Sequence, residues 1–338
     1  MTRQELKSVE WTRHALGLAL ALMVVAGCTE TFSAGSSSPH GWLPVDERSP
    51  IVLINDSNYD NWHGEYAVLL ANGGGPSLAG IVVGTSPNAN DINANVADWR
   101  ALVAAARSSG LRNIPDPIAS IGNLLVRPAN GDIDATVANR SEGANFIVNE
   151  SARVSLPYRP LVVQTGGRLT DVADAYLIDR TVVDRVVVVS SLGALAAPGA
   201  TMGRPNGEMD PWADTIVTSR FRYVQISAYH DQLADVPAAR LPELPANAFG
   251  KWIAAKQPDI WTIPQAADQG GVAALGISNF VTAVERVSAA GPVGAGATVG
   301  PDLATNPKGA LWLVTQVDGA AAANRFWKLL LDPATFAH

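Results

Sequence analysis

Four short apolar runs constrain the fold of this chain more than any other feature: Ile51-Val52-Leu53-Ile54, Ile81-Val82-Val83, Leu161-Val162-Val163 and Val186-Val187-Val188-Val189. A strand with one wet face alternates apolar and polar residues, whereas a strand that is apolar at every position needs cover on both faces. Alanine- and leucine-containing stretches of helical length separate the runs: Glu65 to Ala71, Val96 to Ser108, Gly143 to Glu150 and Leu169 to Ile178. Strands alternating with crossover helices predict an α/β fold, a doubly wound and mostly parallel sheet. From Pro211 the pattern continues with a helix over Trp212 to Val217, a strand over Tyr223 to Ile226, and a long helical and loop region.

Composition agrees with a buried core and narrows the partners. Of 338 residues, 47% are hydrophobic and 16% charged, which excludes a chain disordered along its length. The formal charge of −7 and only 24 Lys and Arg argue against a phosphate-tracking surface, so no nucleic acid is expected as a partner. A single cysteine excludes an intrachain disulfide and cysteine-based zinc sites, leaving oxygen ligands for any metal.

That cysteine belongs to a targeting signal. Arg3, Lys7 and Arg13 precede an apolar stretch from Ala15 to Ala26, too short for a stop-transfer helix but suited to a signal-peptide core. The stretch ends in Val25-Ala26-Gly27-Cys28, which resembles the bacterial lipobox. The expected organisation is a lipoprotein signal peptide over 1–27, a flexible tether over 28–49 and one globular body over 50–338. Cys28 would carry the lipid, diacylglycerol and palmitate, and hold an exported protein at the bacterial cell envelope with no other membrane segment.

In open α/β sheets, chemistry gathers in loops beyond the carboxyl ends of the strands. Directly after the first run comes Asn55-Asp56-Ser57-Asn58-Tyr59-Asp60-Asn61, in which nearly every side chain offers an oxygen. Such density suits either a polar turn or a hard cation with a hydroxyl-rich ligand.

Asp56-x-x-x-Asp60-Asn61 behind a first strand resembles the aspartate-rich motif of the inosine-uridine preferring nucleoside hydrolases. Other landmarks follow in that family's order. Gly80-Ile81-Val82-Val83 with Asn88 is similar to its second strand and asparagine, and Thr165-Gly166-Gly167-Arg168-Leu169-Thr170-Asp171-Val172-Ala173 to its Thr-Gly-Pro-Leu-Thr-Asn segment. Asn206-Gly207-Glu208-Met209-Asp210-Pro211-Trp212-Ala213 matches its Asn-x-x-x-Asp-Pro-x-Ala spacing, and Ala267 to Ala273 and Val317-Asp318 fit later elements.

The resemblance implies a nucleoside hydrolase-like fold and hydrolysis of the N-glycosidic bond of a ribonucleoside or related N-riboside, with Ca²⁺ as cofactor. By the same resemblance, Asp56 would be metal ligand and general base. Asn61, the Thr165 carbonyl and Asp268 would complete the metal shell, while Asp60, Asn88, Asn206 and Glu208 would bind substrate. Three positions depart from the pattern: Asn61 replaces a charged ligand, Ala267 stands where an imidazole would assist the departing base, and Arg204 occupies a sugar-binding position. These departures also suit an alternative, a catalytically impaired, lipid-anchored nucleoside- or sugar-binding protein of the same fold. His63 and His230 read as structural or solvent-facing residues, with His63 the spare candidate for an acid. Trp62, Tyr66, Trp99, Trp212 and Trp261 read mostly as core.

Overall fold

A computed structural model describes residues 45, 49–56, 77–87, 89–191, 193, 205–226, 242–256, 281–286 and 311–332, all within the compact unit Ser38–His338. The first strand, β1 (Ile51–Asn55), pairs in parallel with β2 (Leu78–Val83) on one side and with β4 (Leu161–Thr165) on the other. Beyond β2 lies the three-residue β3 (Pro117–Ala119), and beyond β4 follow β5 (Val186–Ser191) and β6 (Arg222–Ile226). The sheet closes with β8 (Leu311–Val317), parallel to β6, and β7 (Val281–Arg286), antiparallel to β8. The strand order is β3-β2-β1-β4-β5-β6-β8-β7, the doubly wound, mostly parallel arrangement expected from the apolar runs.

Both faces of the sheet are covered, which is why these strands carry no polar alternation. Ile51, Leu53, Ile81, Val187 and Val189 pack on one face against Trp99 and Leu102 of α1 (Ile92–Ser108), Phe249 and Ile253 of α7 (Ala248–Lys256), and Trp327 and Leu330 of α8 (Gly319–Leu331). The alternate residues Val52, Ile54, Val163, Val186 and Val188 face the opposite layer. That layer is built by α2 (Glu142–Val154), α3 (Thr170–Ile178), α4 (Val182–Arg185) and α6 (Pro211–Arg220). Period-two alternation thus sorts each strand into two cores.

Helix starts follow ordinary capping chemistry. Asp91 accepts the Asn93 and Ala94 amides at 2.9 and 3.2 Å, Ser141 caps α2 through Ala144 N at 3.2 Å, and Asp318 caps α8 through Ala321 N at 2.9 Å. Asp210 caps α6 through Ala213 N at 3.1 Å, with Pro211 in the first turn, where its missing N–H has no intrahelical partner to lose. The helices expected over Val96 to Ser108, Gly143 to Glu150 and Trp212 to Val217 are each longer than their apolar cores suggested: α1 begins upstream at its Asp91 cap, whereas α2 and α6 gain most of their extra length at the C-terminal end. The stretch Glu65 to Ala71 lies outside the described residues.

Candidate active site at the β1 and β4 strand ends

After β1 the chain moves to β2 and β3 on one side; from β4 onward it moves to the other. The order therefore reverses between β1 and β4, and the loops there diverge to leave a crevice at the carboxyl ends of the strands. Backbone bonds carry the ladder into those loops: Gly84 N donates to Asn55 O and Gly166 N to Ile54 O, both at 2.8 Å.

Asp56 stands at this point as a buried carboxylate. Its amide donates to the Asn55 side-chain Oδ1 at 2.9 Å, which turns the chain sharply out of β1. Across the divide, the Thr165 hydroxyl donates to Gly167 O at 2.9 Å and folds the next loop back over its strand. A Cβ on Gly167 would stand 3.8 Å from the Asp56 nitrogen, so the two loops are in contact. Asn206, on the short helix α5 (Pro205–Glu208), reaches over and donates its Nδ2 to Gly166 O at 2.8 Å. Three residues singled out in the sequence, Asp56, Thr165 and Asn206, are thus gathered around one strand junction from three distant parts of the chain.

Glu208 ends the same short helix and is exposed. Asp60, Asn61, Asn88, Asp268 and Cys28, together with Arg204, Ala267, His63, His230, Trp62, Tyr66 and Trp261, lie outside the described residues. Trp99 is core, and Trp212 is buried, donating its indole N–H to the Thr136 hydroxyl at 3.0 Å with the Arg127 guanidinium 5.1 Å above its ring.

Beside the junction opens a small cleft lined by Asn55, Asp56, Gly84, Thr85, Ser120, Arg168 and Asp171 among others. Two of its features were not assigned a role from the sequence. Arg168 spans from the β4 loop to the β2 loop: its Nε donates to Thr85 O at 2.9 Å and its Nη2 to the Thr85 hydroxyl. Asp171, in the first turn of α3, accepts the Ser120 and Ser141 hydroxyls on one oxygen, each at 2.7 Å. Burial pushes the Asp171 carboxyl above the usual carboxylate range, and the two hydroxyls pull against that shift. Asp174, one turn on, holds the chain before α2 by accepting the Asn139, Arg140 and Ser141 amides at 2.8, 3.2 and 2.9 Å.

Asp210 also proves structural beyond its cap. Its second oxygen accepts the Thr170 hydroxyl at 2.7 Å and the Leu125 amide at 3.1 Å, locking the start of α3 to the start of α6. The Asp-Pro pair in the sequence motif therefore ties together the starts of α3 and α6, the helices that follow Thr165 and Asn206 along the chain.

The donor set at the junction is oxygen only: the Asp56 carboxylate, the Asn55 amide and Thr165. That chemistry fits a hard cation such as Ca²⁺. Among the described residues no group of three or more His, Cys, Asp and Glu comes together.

Neither a family model nor a curated protein sequence matches this chain. Solved structures do match it. A plant nucleoside hydrolase is similar at 15% identity and a TM-score of 0.57, covering 84% of this chain and 99% of its own. An inosine-uridine preferring nucleoside hydrolase from Bacillus anthracis shares 14% identity at a TM-score of 0.58, with the same coverage. A purine-preferring ribonucleoside hydrolase from Gardnerella vaginalis shares 17% at 0.55, covering 85% of this chain and 100% of its own. The fold built by the eight-stranded sheet is thus the one that these nucleoside hydrolases adopt.

Proposed function

We propose that this protein is an N-glycosidase that hydrolyses the bond between the anomeric carbon of a ribose and the nitrogen of its base, with Ca²⁺ as cofactor. The observation that carries the reading is the seating of Asp56, a buried carboxylate, at the strand-order reversal, against the Gly166-Gly167 loop to which Asn206 is tied. The fold shared with three nucleoside hydrolases supports it.

In this reading Asp56 takes the proton of the water that attacks the anomeric carbon, and Asn206 and Asp60 hold ribose hydroxyls. Glu208 and Asn88 are further sugar contacts. Asp56, Asn61, Asp268 and the Thr165 carbonyl would hold Ca²⁺, which when bound supplies the positive charge that acidifies water and grips a diol. Charge develops on the sugar as the bond to the base lengthens, as in other glycoside hydrolysis. Ala267 offers no proton to the departing base, so natural nucleosides turn over slowly.

The test is hydrolysis of p-nitrophenyl riboside, whose leaving group needs no proton, by the full chain in excess Ca²⁺. Release of nitrophenol that falls by a factor on the order of 10²–10⁴ in Asp56→Asn supports the proposal. No release from the activated riboside in excess Ca²⁺ overturns it. Lipid attachment at Cys28, placing the body at the bacterial envelope, is part of the same proposal. Cys28→Ser would abolish partitioning into the detergent phase, and unchanged partitioning would refute the anchor.

A further inference from the structure

Arg168 lines the wall of the cleft beside Asp56. It is half-buried, and two of its three guanidinium nitrogens are spent on one neighbour, Thr85, through the backbone oxygen and the hydroxyl. Thr85 follows β2 and Arg168 follows β4, so the side chain lies across the end of β1, beside the carboxylate-bearing loop. Both residues line the cleft with Asp56.

The bonds to Thr85 orient the guanidinium without neutralising it, because both acceptors are uncharged. Arg168 pairs with no carboxylate among the described residues, and its Nη1 donates to none of them. Asp171 lines the same wall and feels the Arg168 charge, which draws its carboxyl down against the larger upward push of burial, but no hydrogen bond or ion pair joins the two side chains. A fixed guanidinium with an uncommitted edge in a partly desolvated cleft is a recognition element for an oxyanion, because planar N–H donors match carboxylate and phosphate oxygens. An uncharged nucleoside offers that edge only neutral hydroxyl and carbonyl acceptors, which bind it more weakly than an oxyanion does.

We propose that Arg168 is a specificity-determining residue that makes this cleft prefer N-ribosides bearing an anionic group, a phosphate on the sugar or a carboxylate on the base. The inference rests on the N-glycosidase reading and deepens it by naming the substrate class. Thr85 is the positioning residue: it holds the guanidinium across the strand ends so that the arginine does not swing into solvent. A charge-assisted bond in such a site strengthens binding by about 10- to 100-fold.

The experiment compares kcat/KM, and binding by calorimetry, for inosine against inosine 5′-monophosphate and for uridine against its 6-carboxylate derivative, orotidine, using the full chain in Ca²⁺. The expected result is an anionic-to-neutral preference of about tenfold or more in one pair, which identifies whether the sugar phosphate or the base carboxylate is the group received. Arg168→Gln should bring that ratio close to one. Arg168→Lys, which keeps the charge and loses the fork, should retain part of it, and serves if the glutamine variant melts early. Thr85→Val should lower the ratio while leaving the charge in place. Equal treatment of neutral and anionic ribosides by the wild type, or a preference that survives in Arg168→Gln, overturns the inference and leaves the N-glycosidase reading standing. Failure to bind or cleave any riboside, p-nitrophenyl riboside included, removes both.

Discussion

Asn206 donates its side-chain amide to the carbonyl of Gly166 at 2.8 Å, joining the short helix α5 to the loop that leaves the centre of the sheet. Both residues are buried, so the carbonyl has little water to fall back on. Asn206→Ala should therefore lose about 1–3 kcal/mol of stability in urea denaturation. Asn206→Asp keeps the volume but sets a carboxylate oxygen against the carbonyl, and is expected to be at least as damaging. An aspartate variant as stable as wild type would show that this bond contributes nothing.

Asp171 gives a pH-dependent prediction. Its folded carboxyl titrates above the unfolded value of about 3.9 because burial disfavours the charge. For a carboxyl raised in this direction, its contribution to stability is present below the unfolded value and lost as pH rises through the folded one. Asp171→Asn cannot ionise, and its carbonyl oxygen can still accept the Ser120 and Ser141 hydroxyls. The melting temperature of the variant minus that of wild type should thus grow more positive from pH 4 to pH 8. A difference independent of pH would mean that Asp171 ionises as easily in the folded protein as in the unfolded one.

Gly143, in the first turn of α2, lies tight against β2 and the residue that follows β3. A Cβ there would meet the Ser120 hydroxyl oxygen at 2.7 Å, Val82 Cγ1 at 2.7 Å and Asp171 Cγ at 2.8 Å. Gly143→Ala should destabilise by about 1–3 kcal/mol through overpacking, despite alanine's better helix propensity. Gly167→Ala is the contrasting case, with its nearest contact at 3.8 Å, and should stay within about 1 kcal/mol of wild type. Chemical denaturation of the pair separates crowding from a general intolerance of side chains near the cleft.

Asn61→Asp should tighten Ca²⁺ binding about tenfold, because it adds a full negative charge to the shell that Asp56 anchors in the proposed site. Calorimetric titration of both forms measures it. Absence of Ca²⁺ binding in either form would remove the cofactor from the proposal.

The parts of this molecule that were legible in its sequence share a physical cause. Strands buried on both faces must be apolar throughout, so β1, β2, β4 and β5 stood out as runs, and Asp56 was conspicuous as the first carboxylate beyond one of them. β3 has three residues beginning with proline, too short to leave a pattern. β7 and β8 mix charged and polar residues with apolar ones, as suits strands near a sheet edge, and they passed as part of a helical and loop region. Arg168 could be quoted from the sequence but not given a role, because its meaning depends on Thr85, 83 positions earlier, which only the parallel pairing of the strands brings alongside. Asp210 was read as part of a functional motif, while its bonds to Thr170, Leu125 and Ala213 make it a structural clamp.

The pairing of β1 with β4 sets an order of events during synthesis. Ile51 registers with Val162, so the strand made first waits for the nascent chain to supply its second neighbour. Pairings this distant along the chain pay their loop-closure entropy before any contact rewards it. Until then one edge of β1 stays open, Asp56 has no Gly167 beside it, and the early chain, already carrying its first polar loop, has no crevice to offer a ligand. The crevice beside Asp56 is therefore assembled late, once β4 and its loop have joined β1.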